Sequence, residues 1–265
     1  MISEYDSAER LSNTGMGHLK RSPLHYRYWR DNVRANDPMS PALVTGIAVH
    51  MAILEPDRFA NTYESMPDVS HLTPGQKAGV TKAMRNISPG DKTLIAYDHY
   101  QEILGMQRAV LSHEFASKLL LCEREVCHFW HDVKTGAPCK GRFDSVNWGE
   151  GFIADLKTTE NASEDAFRGS IYKYSLYRQA AFYMSADEDI INFYWVAVEK
   201  KPPYGVAIYS MNRLSRFFEM GGNECNNMCE IYADCLSSGS WPGYGAYARS
   251  IDDRQQLATD SDWLG

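Results

Sequence analysis

The 265-residue sequence lacks most of what marks a membrane or secreted protein. No apolar run approaches the roughly 20 residues that a membrane-spanning helix needs. The opening MISEYDSAERLSNTG is polar and acidic, without the apolar centre of a signal peptide, which predicts a cytoplasmic protein with no membrane partner. Six cysteines in so long a chain do not make a secreted disulfide framework. A phosphate-cradling loop of the G-x-x-x-x-G-K-[ST] type is missing, so neither an ATP requirement nor a fused ATP-driven motor is expected. Internal repeats, low-complexity tracts and long linkers are also missing. Positive charge is in deficit: 27 Lys and Arg stand against 34 Asp and Glu, a formal net charge of −7. That weighs against a broadly basic surface. It still allows an enzyme with clustered carboxylates whose basic residues are confined to one groove.

What is present suits a globular domain with a real core, since 44% of the residues are hydrophobic. A short helical pattern around LSNTGMGHLKRS precedes the aromatic, basic segment SPLHYRYWRDN. In PALVTGIAVHMAILEPDRF, Val44, Ile47, Ala48, Met51 and Leu54 recur at helical spacing, with Ser40 or Thr45 near the start and Pro56 beyond the end. Residues 61–93 are rich in Pro, Gly, Ser and Thr and read as a loop-rich insertion with one helix near 75–86. A helix over about 98–120 follows. The period then shortens: CHFWHDVKTGAPCKGRFDSVNW and GFIADLKTT read as strands broken by TGAP and NWGEG. SEDAFRGSIYKYSLYRQAAFYMSA is helical, and INFYWVAVEKK and YGVAIYSM are the most strand-like runs of all. A C-terminal helical segment over about 211–245 has a glycine stop, then WPGYG and a polar tail. This order predicts an α/β (α+β) fold, one domain spanning 1–265 with a core at about 40–210 and a central mixed β-sheet flanked by helices.

The chemistry concentrates in GRFDSVNWGEGFIADLKTTE. If 147–151 form the turn, symmetrical antiparallel pairing puts Asp144 opposite Asp155, with side chains about 4.5–5.5 Å apart at Cβ. Two opposed carboxylates destabilise a hairpin unless something neutralises them, and a divalent cation with oxygen ligands is the natural candidate. Alternation places Lys157 on the Asp155 face and turns Ala154 and Leu156 into the core. An aspartate pair with a metal and a lysine suits phosphodiester hydrolysis. A solvated hairpin whose charges face water is the competing explanation, and the D-x(10)-D-x-K pattern alone does not decide between them.

With its neighbours, the segment resembles the RecE-like and lambda-type phage exonucleases of the PD-(D/E)XK nuclease superfamily. The resemblance lies in GRFDSV with IADLKTT, in TGIAVHMAILEPDRF before them, and in Gln179-Ala-Ala-Phe-Tyr183 after them. EREVCHFWHDVKTG, the opening LSNTGMGHLKRSPLHYRYW and the closing SGSWPGYG add to it, so that it spans most of the chain. It implies a PD-(D/E)XK core with a metal held by His50, Glu125 (Glu123 a weaker choice), Asp144, Asp155 and the Leu156 backbone carbonyl. Asp144, Asp155, Lys157, Gln179 and Tyr183 become the catalytic set. The implied cofactor is Mg²⁺, with Mn²⁺ able to substitute. The implied reaction is processive 5′→3′ digestion of linear double-stranded DNA by a ring-shaped homotrimer or homotetramer, leaving 3′ overhangs for a single-strand annealing protein. A bacterial host, with the gene carried by a phage or prophage, goes with that picture.

Arg142 and Lys140 alternate onto the Asp144 face, where they either meet DNA phosphates or balance the carboxylates. Cys225, Cys229 and Cys235 run C-x(3)-C-x(5)-C, which does not match the C-x(2)-C spacing of iron–sulfur nucleases of this superfamily. No cluster is expected, since helical cysteines packed as small apolar residues explain the run. An endonuclease of the same superfamily, or a non-catalytic protein that binds DNA ends, are the other readings.

Overall fold

The structure is a computed structural model that describes residues 2–32, 41–86 and 92–245. Three helices open the chain: α1 (Ile2–Ser7), α2 (Asn13–Arg21) and α3 (Pro23–Asn32). The Ser12 side chain caps α2 by accepting from the Gly15 N–H at 3.1 Å. Pro23 starts α3 at a position where a missing N–H costs nothing. α4 (Pro41–Leu54) buries Ala48, Val49, Ala52 and Ile53, while Val44 stays exposed. Ser40, expected near its start, lies outside the described residues, as does the polar tail from 246 onward.

α5 (Pro56–Thr62) leads into β1 (Tyr63–Ser65), α6 (Pro74–Asn86) and β2 (Thr93–Ile95). The stretch expected as a loop-rich insertion therefore has its own small sheet, with β1 and β2 parallel. α7 (Tyr97–Ser112) and α8 (Glu114–Leu120) replace the single helix expected over 98–120. The break falls at His113, whose Nδ1 accepts from the Ala116 N–H at 3.2 Å and caps the second helix.

β3 (Glu123–His131), β4 (Pro138–Asn147) and β5 (Phe152–Thr159) then form an antiparallel meander. The next segment, expected as one helix, is α9 (Glu164–Lys173) and α10 (Leu176–Met184), separated by Ser175 in the left-handed region at φ 51°. β6 (Asn192–Glu199) joins β5 in parallel, a pairing that needs a long crossover, which α9 and α10 supply. β7 (Val206–Asn212) pairs antiparallel with β6. α11 (Arg216–Ser238) ends at Gly239, whose φ of 68° makes the expected glycine stop.

The main sheet is mixed and ordered β3-β4-β5-β6-β7. Phe143, Ile153, Phe193 and Trp195 face α2, α3, α9, α10 and α11, packing with Met16, Tyr26, Phe167, Phe182 and Tyr232. Ala154, Leu156, Val196 and Val198 face α4, α5, α7 and α8, packing with Val49, Ile53, Phe59, Ile103 and Leu119. Helices thus cover both faces of the sheet, the expected α/β arrangement. Double burial explains why β5 and β6 read as nearly continuous apolar runs. Cys139, Cys225 and Cys229 are buried free thiols in the first of these cores.

Candidate active site

The site grows from a conflict in the sheet. β3 and β4 pair with Arg124 opposite Ser145 and Val126 opposite Phe143, which leaves Glu125 and Asp144 facing each other. β4 and β5 pair Ser145 with Ala154, and the same register brings Asp144 opposite Asp155. Three carboxylates therefore stand in one row across three adjacent strands. Like charges directly opposed destabilise a sheet, and the backbone gives way there. Glu125 takes a left-handed φ of 53°, which is strained for a residue with a side chain. The β4–β5 ladder ends at Ser145–Ala154, and the Leu156 N–H donates to Asp144 Oδ2 at 2.8 Å instead of to a strand carbonyl.

α4 passes beside this opening and brings His50, whose Nδ1 lies 3.4 Å from Asp144 Oδ2. One ligand atom each from His50, Glu125 and Asp144 lies within 4.8 Å of the others, and all three side chains are half-buried. Asp155 takes a different partner set. Its Oδ1 accepts from Gln179 Nε2 at 2.8 Å, and its Oδ2 lies 2.6 Å from Lys157 Nζ. That second contact is a close ion pair between a buried carboxylate oxygen and the ammonium.

The electrostatics follow from burial and crowding. Burial, then Asp144, pushes the Glu125 carboxyl above the usual range, against the pull of Arg142. Burial likewise raises Asp155, with Lys157 opposing and Asp144 adding. Burial works against the Lys157 ammonium, but Asp155 and Asp144 outweigh it and hold its pKa above the ordinary lysine value. Lys157 is thus a firmly held cation. Carboxylates kept costly in this way are what a divalent cation would relieve, and a histidine nitrogen grouped with carboxylate oxygens is a donor set for such an ion.

Each residue singled out in the sequence has a definite place. Gln179 and Tyr183 lie one turn apart on α10; Gln179 reaches Asp155, and the Tyr183 ring lies 4.9 Å from that of Phe143. Burial pushes the Tyr183 hydroxyl well up, with Tyr5, Asp155 and Asp144 adding to it. Glu123 is exposed, accepts from Trp148 Nε1 at 3.3 Å and stands outside the cluster, leaving Glu125 as the acid beside Asp144. Arg142 Nε pairs with Glu125 Oε2 at 3.1 Å. Lys140, expected to meet DNA phosphates or balance the carboxylates, is 6% exposed. Its ammonium donates to the Tyr5 and Ala8 carbonyls at 2.6 and 2.9 Å, so it ties down the end of α1 and is not presented to a phosphate.

One feature lay beyond reach of the sequence. A cavity of about 490 Å³ opens beside Lys157 and is lined also by Thr159, Asn161, Phe167, Tyr174 and Lys200. No sequence spacing brings together the end of β5, the end of α9 and the end of β6.

A mixed sheet between helix layers, with an acid on one strand and D-x-K on the next, is the PD-(D/E)XK arrangement. The sequence profile of a family described as a PDDEXK-like domain of unknown function (DUF3799) matches residues 19–253, and the chain belongs to that family. No curated protein matches it. Among solved structures, a provisionally named exonuclease from Eubacterium rectale is similar over 97% of this chain and 95% of its own, with TM-score 0.59 and 13% identity. A phage-related exonuclease from Haemophilus somnus 129PT covers 73% of this chain and 95% of its own, with TM-score 0.38 and 12% identity. At 13% identity the first likeness supports the fold. Among the described residues no helix is long and apolar enough to cross a membrane.

Proposed function

We propose that this protein is a divalent-metal-dependent deoxyribonuclease that degrades linear double-stranded DNA from its ends. The observation that carries the reading is the row Glu125–Asp144–Asp155, closed by His50 on one side and Lys157 on the other. A structural sheet has no use for three opposed carboxylates, whereas phosphodiester hydrolysis needs such a cluster beside a cation. His50, Glu125, Asp144 and Asp155 would hold Mg²⁺, with the Leu156 carbonyl completing the set. Bound there, the metal supplies Lewis-acid polarisation of the phosphate and a bound water of lowered pKa.

This chain's own groups do the rest. Lys157, kept charged by its carboxylate neighbours, orients the attacking water and stabilises charge developing on the phosphate. Gln179 fixes the Asp155 carboxylate in place through Oδ1. Tyr183, one turn further along α10, packs on Phe143. Arg142, 46% exposed at its side chain, is the cation here free to turn from Glu125 toward a DNA phosphate.

Resemblance to the RecE-like enzymes extends the proposal to 5′→3′ polarity, processivity, a ring of three or four subunits, and 3′ overhangs passed to an annealing protein. The test uses duplex DNA labelled on a single strand, in linear and covalently closed circular form, with Mg²⁺ or EDTA. Release of 5′-terminal nucleotides from the linear form alone, only with Mg²⁺, is expected. Cutting of closed circles would turn the reading to an endonuclease, and binding of ends without cutting would leave a non-catalytic end-binding protein.

A further inference from the structure

We propose that the cavity beside Lys157 is a nucleotide site that takes the sugar and base next to the scissile phosphate, with Tyr174 as its stacking face; this rests on the nuclease reading above. The cavity, about 490 Å³, lies within the range of about 300–1,000 Å³ typical of small-molecule sites. Its position is set by the strand that carries the chemistry: β5 runs from Asp155 through Lys157 to Thr159, so one wall is continuous with the catalytic lysine. A phosphate at Lys157 therefore places the attached nucleoside in or at the mouth of this space.

The lining has the mixed character a nucleoside needs. Phe167 and Leu176 give the lining its apolar part, while Thr159, Asn161 and Lys200 bring hydroxyl, amide and ammonium groups to it. Tyr174 is 62% exposed, and among the described residues its ring has no aromatic neighbour and only the Lys173 ammonium over it, at 5.3 Å. Tyr172, two residues earlier, is by contrast engaged with Tyr177 and Phe217. Directly after Tyr174 the chain enters the left-handed region at Ser175, which ends α9 and begins α10 one residue later. Strain of that kind in a residue with a side chain gathers at functional sites. Here it leaves Tyr174 at the cavity rim and not on a continuing helix face. The Lys200 ammonium, paired with the exposed Glu160 at 2.8 Å, can exchange that partner for a backbone phosphate.

A base stacked on an aromatic side chain loses about five- to 150-fold in binding when the ring is replaced by alanine. The test measures binding of deoxyadenosine monophosphate and of deoxyribose 5-phosphate to the full chain in EDTA, by NMR titration, for wild type, Tyr174→Ala and Tyr174→Phe. Tighter binding of the nucleotide than of the sugar phosphate, lost in Tyr174→Ala and kept in Tyr174→Phe, is expected. The two variants should show the same split in KM on linear duplex DNA. Equal binding of the two probes, or nucleotide binding indifferent to Tyr174→Ala, overturns the proposal. If the wild type binds the nucleotide through Tyr174 but cuts no DNA, the nuclease reading fails and the nucleotide site stands.

Discussion

Lys157 is caught between two opposing demands. Burial disfavours its charge, and two carboxylates require it. Removing one partner of such a pair leaves the other buried and uncompensated, at a cost of several kcal/mol that partial exposure of Lys157 reduces. Lys157→Ala is expected to lower kcat by about 10²–10³-fold, the loss seen when a preorganised charge-stabilising donor is deleted. It should also lower the melting temperature in EDTA, with part of the loss recovered in Mg²⁺; kinetics and thermal denaturation with either additive check both. Lys140 illustrates the other fate of a buried ammonium. Burial, with Arg30 adding, pushes its pKa down to about 8. The unfolded chain therefore binds the proton more tightly between about pH 8 and the ordinary lysine value, and stability from this group rises with pH across that window. The stability difference between wild type and Lys140→Met should shift toward the wild type from pH 8 to pH 10, as urea denaturation at several pH values would measure. A flat difference would mean that the ammonium is not desolvated.

At the scale of elements, the hairpin β4–β5 sets the geometry of the site through its turn. Gly151 has φ 65°, and a Cβ there would lie 2.4 Å from the Asp189 carbonyl oxygen. The same residue's carbonyl receives the N–H groups of Ile191 and Asn192 at 2.8 and 3.1 Å, which seats β6 beside β5. Gly151→Ala should cost about 1–3 kcal/mol or more from backbone strain alone. It should also lower Mg²⁺-dependent cleavage, because a shifted register moves Asp155 off the Asp144 row; urea unfolding and a cleavage assay read the two effects. This hairpin was the most legible part of the sequence. Its symmetry about 149–150 gave the 144–155 opposition directly, and alternation gave the common face of Asp155 and Lys157. The breaks in the long helical patterns were not legible in the same way. His113 and Ser175 interrupt segments whose apolar spacing continues across the break, and in each case a local backbone feature, a side-chain cap or a left-handed residue, overrides that spacing.

Across the whole molecule, the two cores hold α4 on one face of the sheet and α10 on the other, so that His50 and Gln179 approach the carboxylate row from opposite layers. A ligand that binds only the folded chain stabilises it by mass action. Mg²⁺ at a hundredfold excess over its Kd should therefore add about 2.7 kcal/mol, on the order of 5–10 °C in melting temperature for a chain of this size. Asp144→Asn should melt at or above the wild-type temperature in EDTA, since it relieves the opposed charges, and should lose most of the Mg²⁺ shift. A large Mg²⁺ shift kept in Asp144→Asn would place the metal elsewhere.

The residue pattern by itself determined the strand pairing about NWGEG, the alternation that turns Ala154 and Leu156 into the core, and the helical spacings that carry His50 and the Gln179–Tyr183 pair. These are local consequences of period and turn chemistry, and they can be read along one line of sequence. Only the tertiary structure decided that Glu125, not Glu123, stands beside Asp144, because that choice depends on the β3–β4 register. Only it turned Lys140 toward α1, since an ammonium goes where carbonyl oxygens are left unpaired by another element. The cavity at Lys157 is likewise a product of three chain segments distant in sequence. A space between elements has no residue of its own, so no sequence pattern could announce it.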